Sequence, residues 1–71
     1  METITITTEY IKLQDLLKLA SLVSTGGEAK LAVVNEEVTV NGEVCTQRGR
    51  KIRPGDAVSF RGRELTVRYE D

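Results

Sequence analysis

Seventy-one residues, 39% hydrophobic and 30% charged, are the length and composition of one globular domain, and no second is expected. A chain this short buries only about 60% of the surface it exposes when unfolded, so the core must be modest. With no histidine and a single cysteine, Cys45, an internal disulfide and the usual zinc ligand sets are excluded, and a reducing compartment is expected. The start, METITITTEY, lacks a basic stretch followed by an apolar one, and no run nears the roughly 20 apolar residues of a membrane span. A cytoplasmic protein without membrane contact, metal or cofactor is expected.

The formal net charge of -1 conceals a segregation along the chain. Residues 48–68 carry seven arginines and lysines against Asp56 and Glu64, a local +5, whereas residues 1–47 carry three basic and seven acidic groups, a local -4. Screening at physiological salt acts over about 8 Å. An anionic partner approaching the later segment therefore meets its positive field and little of the distant acids.

Thr3 to Thr7 alternates Thr and Ile, a period of two in β-branched residues that predicts a strand with Ile4 and Ile6 toward the core. From Lys12 to Ala20 the period lengthens. Leu13, Leu16, Leu17 and Ala20 stand at i, i+3, i+4 and i+7, one apolar stripe on a short helix. Ser24-Thr25-Gly26-Gly27 interrupts it, and Thr25 with Glu28 forms a T-x-x-E capping box that opens a second helix running to about Asn35. Its Ala29, Ala32 and Val33 share a face, and the small alanines permit close approach to the first helix.

A strand is expected at Val38 to Val40, then a tight hairpin at Asn41-Gly42, where positive φ angles are tolerated, and a return strand around Glu43 to Thr46. The polar, basic stretch from Gln47 to Arg53 leads into Pro54-Gly55-Asp56, with the Pro-then-Gly order of a type II turn. Strands at Ala57 to Phe60 and Glu64 to Tyr69 flank a turn near Arg61-Gly62-Arg63. The expected fold class is α+β, with two short helices in a helix-turn-helix-like pair packed on a small, mainly antiparallel β-sheet.

Arg48-Gly49-Arg50-Lys51-Ile52-Arg53 places four cations in six residues around a glycine. Such a run reads as a phosphate clamp or as a solvated loop that keeps the chain soluble. A second candidate is the start of the second helix, where Thr25, Gly26 and Gly27 leave backbone N–H groups unobstructed at the positive end of the helix dipole. Lys30, one turn on, and Lys12, at the head of the first helix, would supply reach. The alternative there is a plain capped helix whose glycines shape the bend between helices.

Arg61 and Arg63 flank a hairpin tip, where charge commonly guards against edge pairing, and with Arg68 they are left out of the site. Tyr10, Tyr69 and Phe60 could stack on bases, but Phe60 lies in an apolar strand and reads as core. Cys45, beside a strand and with no histidine to activate it, reads as a small half-buried residue. Without histidine the commonest general base is missing. Asp15, Glu28 and Asp56 read as a helix surface charge, a capping partner and a turn residue. No P-loop, Rossmann glycine pattern or zinc spacing occurs, so no catalytic activity is expected.

Read together, Lys12-Leu13-x-x-Leu16-Leu17, Glu28-Ala29-Lys30, Val38-x-Val40-Asn41-Gly42 and Ile52-x-Pro54-Gly55-Asp56-x-Val58 resemble the alpha-L RNA-binding motif, the domain of ribosomal protein S4. The order and spacing run through most of the chain. Leu16-Leu17-Lys18-Leu19-Ala20, Gly26-Gly27-x-Ala29-Lys30 and Arg48-Gly49-Arg50-Lys51 look like the stand-alone bacterial YaaA/YbcJ type of that domain.

The resemblance implies one alpha-L domain over residues 1–71, with the helix pair on a bent sheet. It also implies that structured RNA is held between the two helices and the loop after the hairpin. Ribosomal RNA, in ribosome assembly or quality control, is the expected partner of a monomer. Carried over residue by residue, Lys12 matches the basic residue opening the first helix and Lys30 the one early in the second. Arg48, Arg50 and Lys51 match the basic stretch ahead of the P-G-D turn, and Arg53 closes the same run. With Thr25, Gly26 and Gly27 these make the expected RNA-binding set. The family often has an acidic residue after the first helix's leucine and an arginine between the helices. This chain has Gln14 and Gly26, which shifts weight to the glycine backbone and the later loop.

Two other classes fit parts of the sequence. A protein-interaction module would use the oppositely charged halves. A β-grasp sulfur carrier would share the first strand, a helix, the N-G-E hairpin and a late G-D turn, but it needs a C-terminal Gly-Gly where this chain has Tyr69-Glu70-Asp71.

Overall fold

The alternating Thr-Ile start forms strand β1, Glu2–Ile6, in the computed structural model, which describes residues 2–70. The other elements follow as β2 (Ile11–Lys12), α1 (Leu13–Leu19), α2 (Gly26–Val34), β3 (Val38–Val40), β4 (Glu43–Val44), β5 (Lys51–Ile52), β6 (Ala57–Phe60) and β7 (Arg63–Tyr69). The expected α+β class is the one observed. Two helices cover one face of a five-stranded sheet ordered β1-β7-β6-β3-β4, and β2 and β5 form a separate two-stranded ladder.

Local turns build most of the large sheet. Asn41 and Gly42, at φ 52° and 86°, join β3 to β4, and Arg61 and Gly62, at φ 49° and 80°, join β6 to β7. Two successive positive φ values match the right-handed twist of the strands they connect. The pairs β3–β4, β3–β6 and β6–β7 are antiparallel. The exception is β1, which lies parallel to β7 from Glu2 opposite Leu65 to Ile6 opposite Tyr69. The Glu70 N–H extends this pairing by donating to the Ile6 carbonyl at 2.9 Å, so the first and last strands are fastened side by side.

The alternation of each strand sends Ile6, Val38, Val40, Val58, Phe60, Leu65 and Val67 into the core. Leu13, Leu16 and Leu17 of α1 meet them with no exposed surface, together with Ala29, Ala32 and Val33 of α2. Thr25 caps α2, its Oγ1 accepting from the Glu28 N–H at 3.1 Å, so the half of the capping box that uses the threonine hydroxyl is formed.

Three expectations need correcting. Lys12 is not in the first helix: its extended backbone (ψ 144°) precedes α1 and pairs with Lys51, while Ile11 pairs with Ile52. The polar stretch Gln47 to Arg53 therefore contains a strand. Two residues are too few to show a period in sequence, and the extended form is selected by Ile52, which has no exposed surface. The return strand after Asn41-Gly42 ends at Val44, and Cys45 beyond it is buried, at 5% exposure.

The Pro54-Gly55-Asp56 turn has type II geometry: Gly55 is at φ 95° and the Asp56 N–H donates to the Arg53 carbonyl at 3.0 Å. Its aspartate ties two turns together. Asp56 Oδ2 accepts from the Arg53 N–H at 2.8 Å and Oδ1 from Asn41 Nδ2 at 3.1 Å, while Asn41 Oδ1 accepts from the Ala57 N–H at 2.9 Å. Partial desolvation works to raise the Asp56 pKa. The Arg53 N–H, the Asn41 amide and the charges of Arg50 and Arg53 outweigh it, holding the carboxyl below its ordinary 3.8.

Two outcomes are expected. Leu16→Ala should cost about 2–5 kcal/mol, a large share of the stability of a domain this small, and urea unfolding followed by circular dichroism reads it directly. Asp56→Asn should cost about 0.5–1.5 kcal/mol near neutral pH. Because the folded-state pKa is depressed, that stabilisation is complete above the ordinary carboxylate value and is lost as pH falls through the folded-state pKa. The unfolding midpoints of the two proteins should start to approach each other as pH falls below the ordinary value of 3.8 and meet only once the lower folded-state pKa is passed.

Candidate nucleic-acid interface

A helix begins with backbone N–H groups that have no acceptor within it. Lys12 offers α1 no side-chain cap. Instead, the Leu13 N–H donates to the Arg50 carbonyl at 2.9 Å and the Gln14 N–H to the Arg48 carbonyl at 3.0 Å. Between these two carbonyls the loop makes a tight turn, with the Arg50 N–H donating to the Gln47 carbonyl at 3.1 Å. The loop is pinned in the core at both ends, by Cys45 and by Ile52. The Cys45 thiol also reaches the Gln47 carbonyl at 3.6 Å.

With its carbonyls turned onto the helix, the loop presents Arg48, Arg50, Lys51 and Arg53 as exposed side chains, beside exposed Lys12. Arg50, Lys51 and Arg53 border an open groove with Gln47, Gly49 and Asp56. The one carboxylate there, Asp56, is already engaged by the Arg53 N–H and Asn41. Among the described residues, Lys12, Lys30, Arg48, Arg50, Lys51 and Arg53 form no ion pair. The ion pairs lie elsewhere: Arg61 with Glu37 at 3.0 Å, Arg63 with Glu2 at 2.6 Å and Lys18 with Asp15 at 3.8 Å. The cations at the β6–β7 hairpin are thus occupied by acids from the earlier, acidic segment of the chain, and the loop cations are not.

At the α2 tip, Gly26 and Gly27 are the first two helical residues. Neither has a positive φ. A Cβ at Gly26 would meet nothing within 4 Å, and one at Gly27 only Thr25 Oγ1 at 3.8 Å. Neither a positive φ nor internal packing calls for glycine there, and the Thr25 hydroxyl caps the helix as at an ordinary helix start. Lys30 is exposed on α2. The structure joins Lys12 to the loop through the β2–β5 ladder and the caps of α1. Helix α2 packs on α1, and among the described residues no hydrogen bond or ion pair joins Thr25, Gly26, Gly27 or Lys30 to the loop.

One contact at the site had no counterpart in the sequence reading. The Lys51 ammonium lies over the Tyr10 ring, 4.9 Å from its centroid. A tyrosine and a lysine 41 positions apart carry no joint signal in one sequence. They meet because the β2–β5 ladder brings their strands together.

Comparison with known proteins agrees with this architecture. The S4 domain family model matches residues 4–68. The chain is 46% identical over 59 residues to the "Probable ribosome maturation protein RlbA" of Bacillus subtilis (strain 168), covering 83% of each protein. It is 40% identical over 58 residues to YbcJ of Escherichia coli (strain K12), covering 82% of this chain and 83% of that one. The solution structure of YbcJ, described as revealing an alpha-L motif involved in RNA binding, superposes with a TM-score of 0.74 and 36% identity over 96% of this chain and 87% of the other. By sequence match over most of its length and by fold, the chain belongs to the S4 domain family.

Proposed function

We propose that this protein is a non-catalytic RNA-binding domain that holds structured RNA, ribosomal RNA in particular, during maturation of the ribosome in the bacterial cytoplasm. The observation that carries this reading is the loop Arg48 to Arg53, whose carbonyls cap α1 while its cations stand exposed and unpaired among the described residues. A cation already held by a carboxylate must give up that partner to take a phosphate. An unpaired one gains the full release of counterions from the nucleic acid.

The names of the relatives support an RNA partner and a task in ribosome maturation. In this reading the bare tip of α2 adds a second part to the surface. Its first N–H groups point out at the positive end of the helix, and the absent side chains at Gly26 and Gly27 let a phosphate backbone come close. Lys12 and Lys30 flank the two parts. In this reading Thr25, Gly26, Gly27 and Lys30 form one edge of the contact and Arg48, Arg50, Lys51 and Arg53 the other.

Binding to a structured RNA, followed by fluorescence anisotropy, tests both edges. Replacing Arg48, Arg50 and Lys51 by alanine should weaken binding on the order of 100-fold and flatten the slope of log affinity against log salt from about -3 or -4 to about -1. The unfolding free energy should change by less than about 0.5 kcal/mol, because exposed charges contribute little to stability. Affinity equal to that of the unaltered protein would remove the loop from the site. Gly26→Val, placed in open space, should weaken binding with the fold intact, and unchanged affinity would return the α2 tip to a purely structural role.

A further inference from the structure

The two-residue ladder β2–β5 sorts its side chains by the period of a strand. Ile11 and Ile52 face each other in register and turn inward, Ile52 with no exposed surface. Lys12 and Lys51, also in register, turn outward and are exposed. Tyr10, just before Ile11, and exposed Arg53, just after Ile52, adjoin the same end of the ladder. The Lys51 ammonium over the Tyr10 ring, 4.9 Å from its centroid, places the ring on the outward side. Tyr10 keeps part of its surface open, and its backbone is fixed by the Thr8 hydroxyl, which donates to the Tyr10 carbonyl at 2.7 Å. The outcome is one aromatic ring in a frame of three cations, Lys12, Lys51 and Arg53.

We infer that Tyr10 is a stacking platform for an unpaired RNA base, with Lys12, Lys51 and Arg53 taking the phosphates on either side of that nucleotide. This rests on the RNA-binding reading above and deepens it by naming the structural class of RNA the ribbon selects, a single-stranded or bulged segment. A base in a duplex already has both faces covered by its neighbours, and its edges carry the pairing. An unpaired base offers a free π-face, which aromatic side chains accept whatever its sequence. The cation–π contact is the resting state of the platform. Lys51 lies over the ring by means of a flexible stem, so an incoming base displaces the ammonium, which then moves to the adjoining phosphate. Aromatic surface next to clustered cations is what distinguishes a groove for single strands from a patch that senses charge alone.

The chain has two tyrosines and no tryptophan, so Tyr69→Phe leaves Tyr10 as its one tyrosine fluorophore. In that background, titration with a mixed-sequence single-stranded oligoribonucleotide should quench tyrosine emission. The same strand annealed to its complement should bind with little quenching. Tyr10→Ala should weaken single-strand binding by about 5- to 150-fold and change duplex binding by no more than about twofold. Tyr10→Phe should keep the single-strand affinity. Tyr10→Leu, which preserves apolar bulk but has no ring, should lose it as alanine does, separating stacking from any effect on folding.

Single-strand affinity retained within about twofold in both Tyr10→Ala and Tyr10→Leu would overturn the platform. If the triple alanine loop variant still lost binding in the same assay, the RNA reading itself would stand. Equal losses on single strand and duplex would also overturn it, because a general electrostatic role makes no such distinction. Failure of the unaltered protein to bind either RNA would remove both proposals together.

Discussion

The donors at the head of α1 need acceptors, and the chain supplies them from a loop more than thirty residues away. Leu13 and Gln14 give their N–H groups to the carbonyls of Arg50 and Arg48. A serine or aspartate in place of Lys12 could take one donor of the first turn with its own side chain. With lysine there, the loop itself completes the helix, and two consequences follow. The backbone of residues 48–50 is fixed in position with its carbonyls turned inward, and the arginine and lysine side chains are left to project outward. The burial of Cys45 and Ile52 at the ends of the loop makes the same arrangement the one that closes the core.

Charge is then sorted by fold. Along the sequence, the basic second half looks like a single cationic block. In space it divides: Arg61 and Arg63 lie against Glu37 and Glu2, whereas the loop cations, and Arg68 on β7, face solvent. Exposed pairs of this kind contribute on the order of 0–1 kcal/mol each. Their larger effect is to neutralise the hairpin end, so that in a molecule of net charge -1 the loop keeps its cations outside ion pairs among the described residues. Asp56, which borders the groove beside them, is drawn into the hydrogen bonds that hold the Pro54-Gly55 turn against Asn41.

Whatever depends on neighbours in sequence was legible. The leucine spacing of α1, the threonine cap of α2 and the positive-φ pair Asn41-Gly42 are local signals, and each stands close to where the sequence puts it. Pairings between distant segments left no such mark. The parallel contact of β1 with β7 joins residues more than sixty positions apart, and nothing in Thr-Ile-Thr-Ile names its partner. The two-residue strands β2 and β5 are too short for a period, and the caps of α1 use backbone carbonyls, which every residue has. For the site, the cationic loop announced itself by composition, and its seat on α1 did not. Tyr10 was visible as an aromatic, but its place among cations follows from the register of the β2–β5 ladder.

If the loop seated on α1 is the binding surface, RNA must perturb both partners of that junction at once. Titration of isotope-labelled protein with a structured RNA, followed by backbone amide chemical shifts, tests this residue by residue. Shifts concentrated at Leu13, Gln14 and residues 47–53, with Glu37 and Arg61 unmoved, are the predicted result. Shifts confined to the hairpin around Arg61, with the head of α1 and residues 47–53 unchanged, would contradict it.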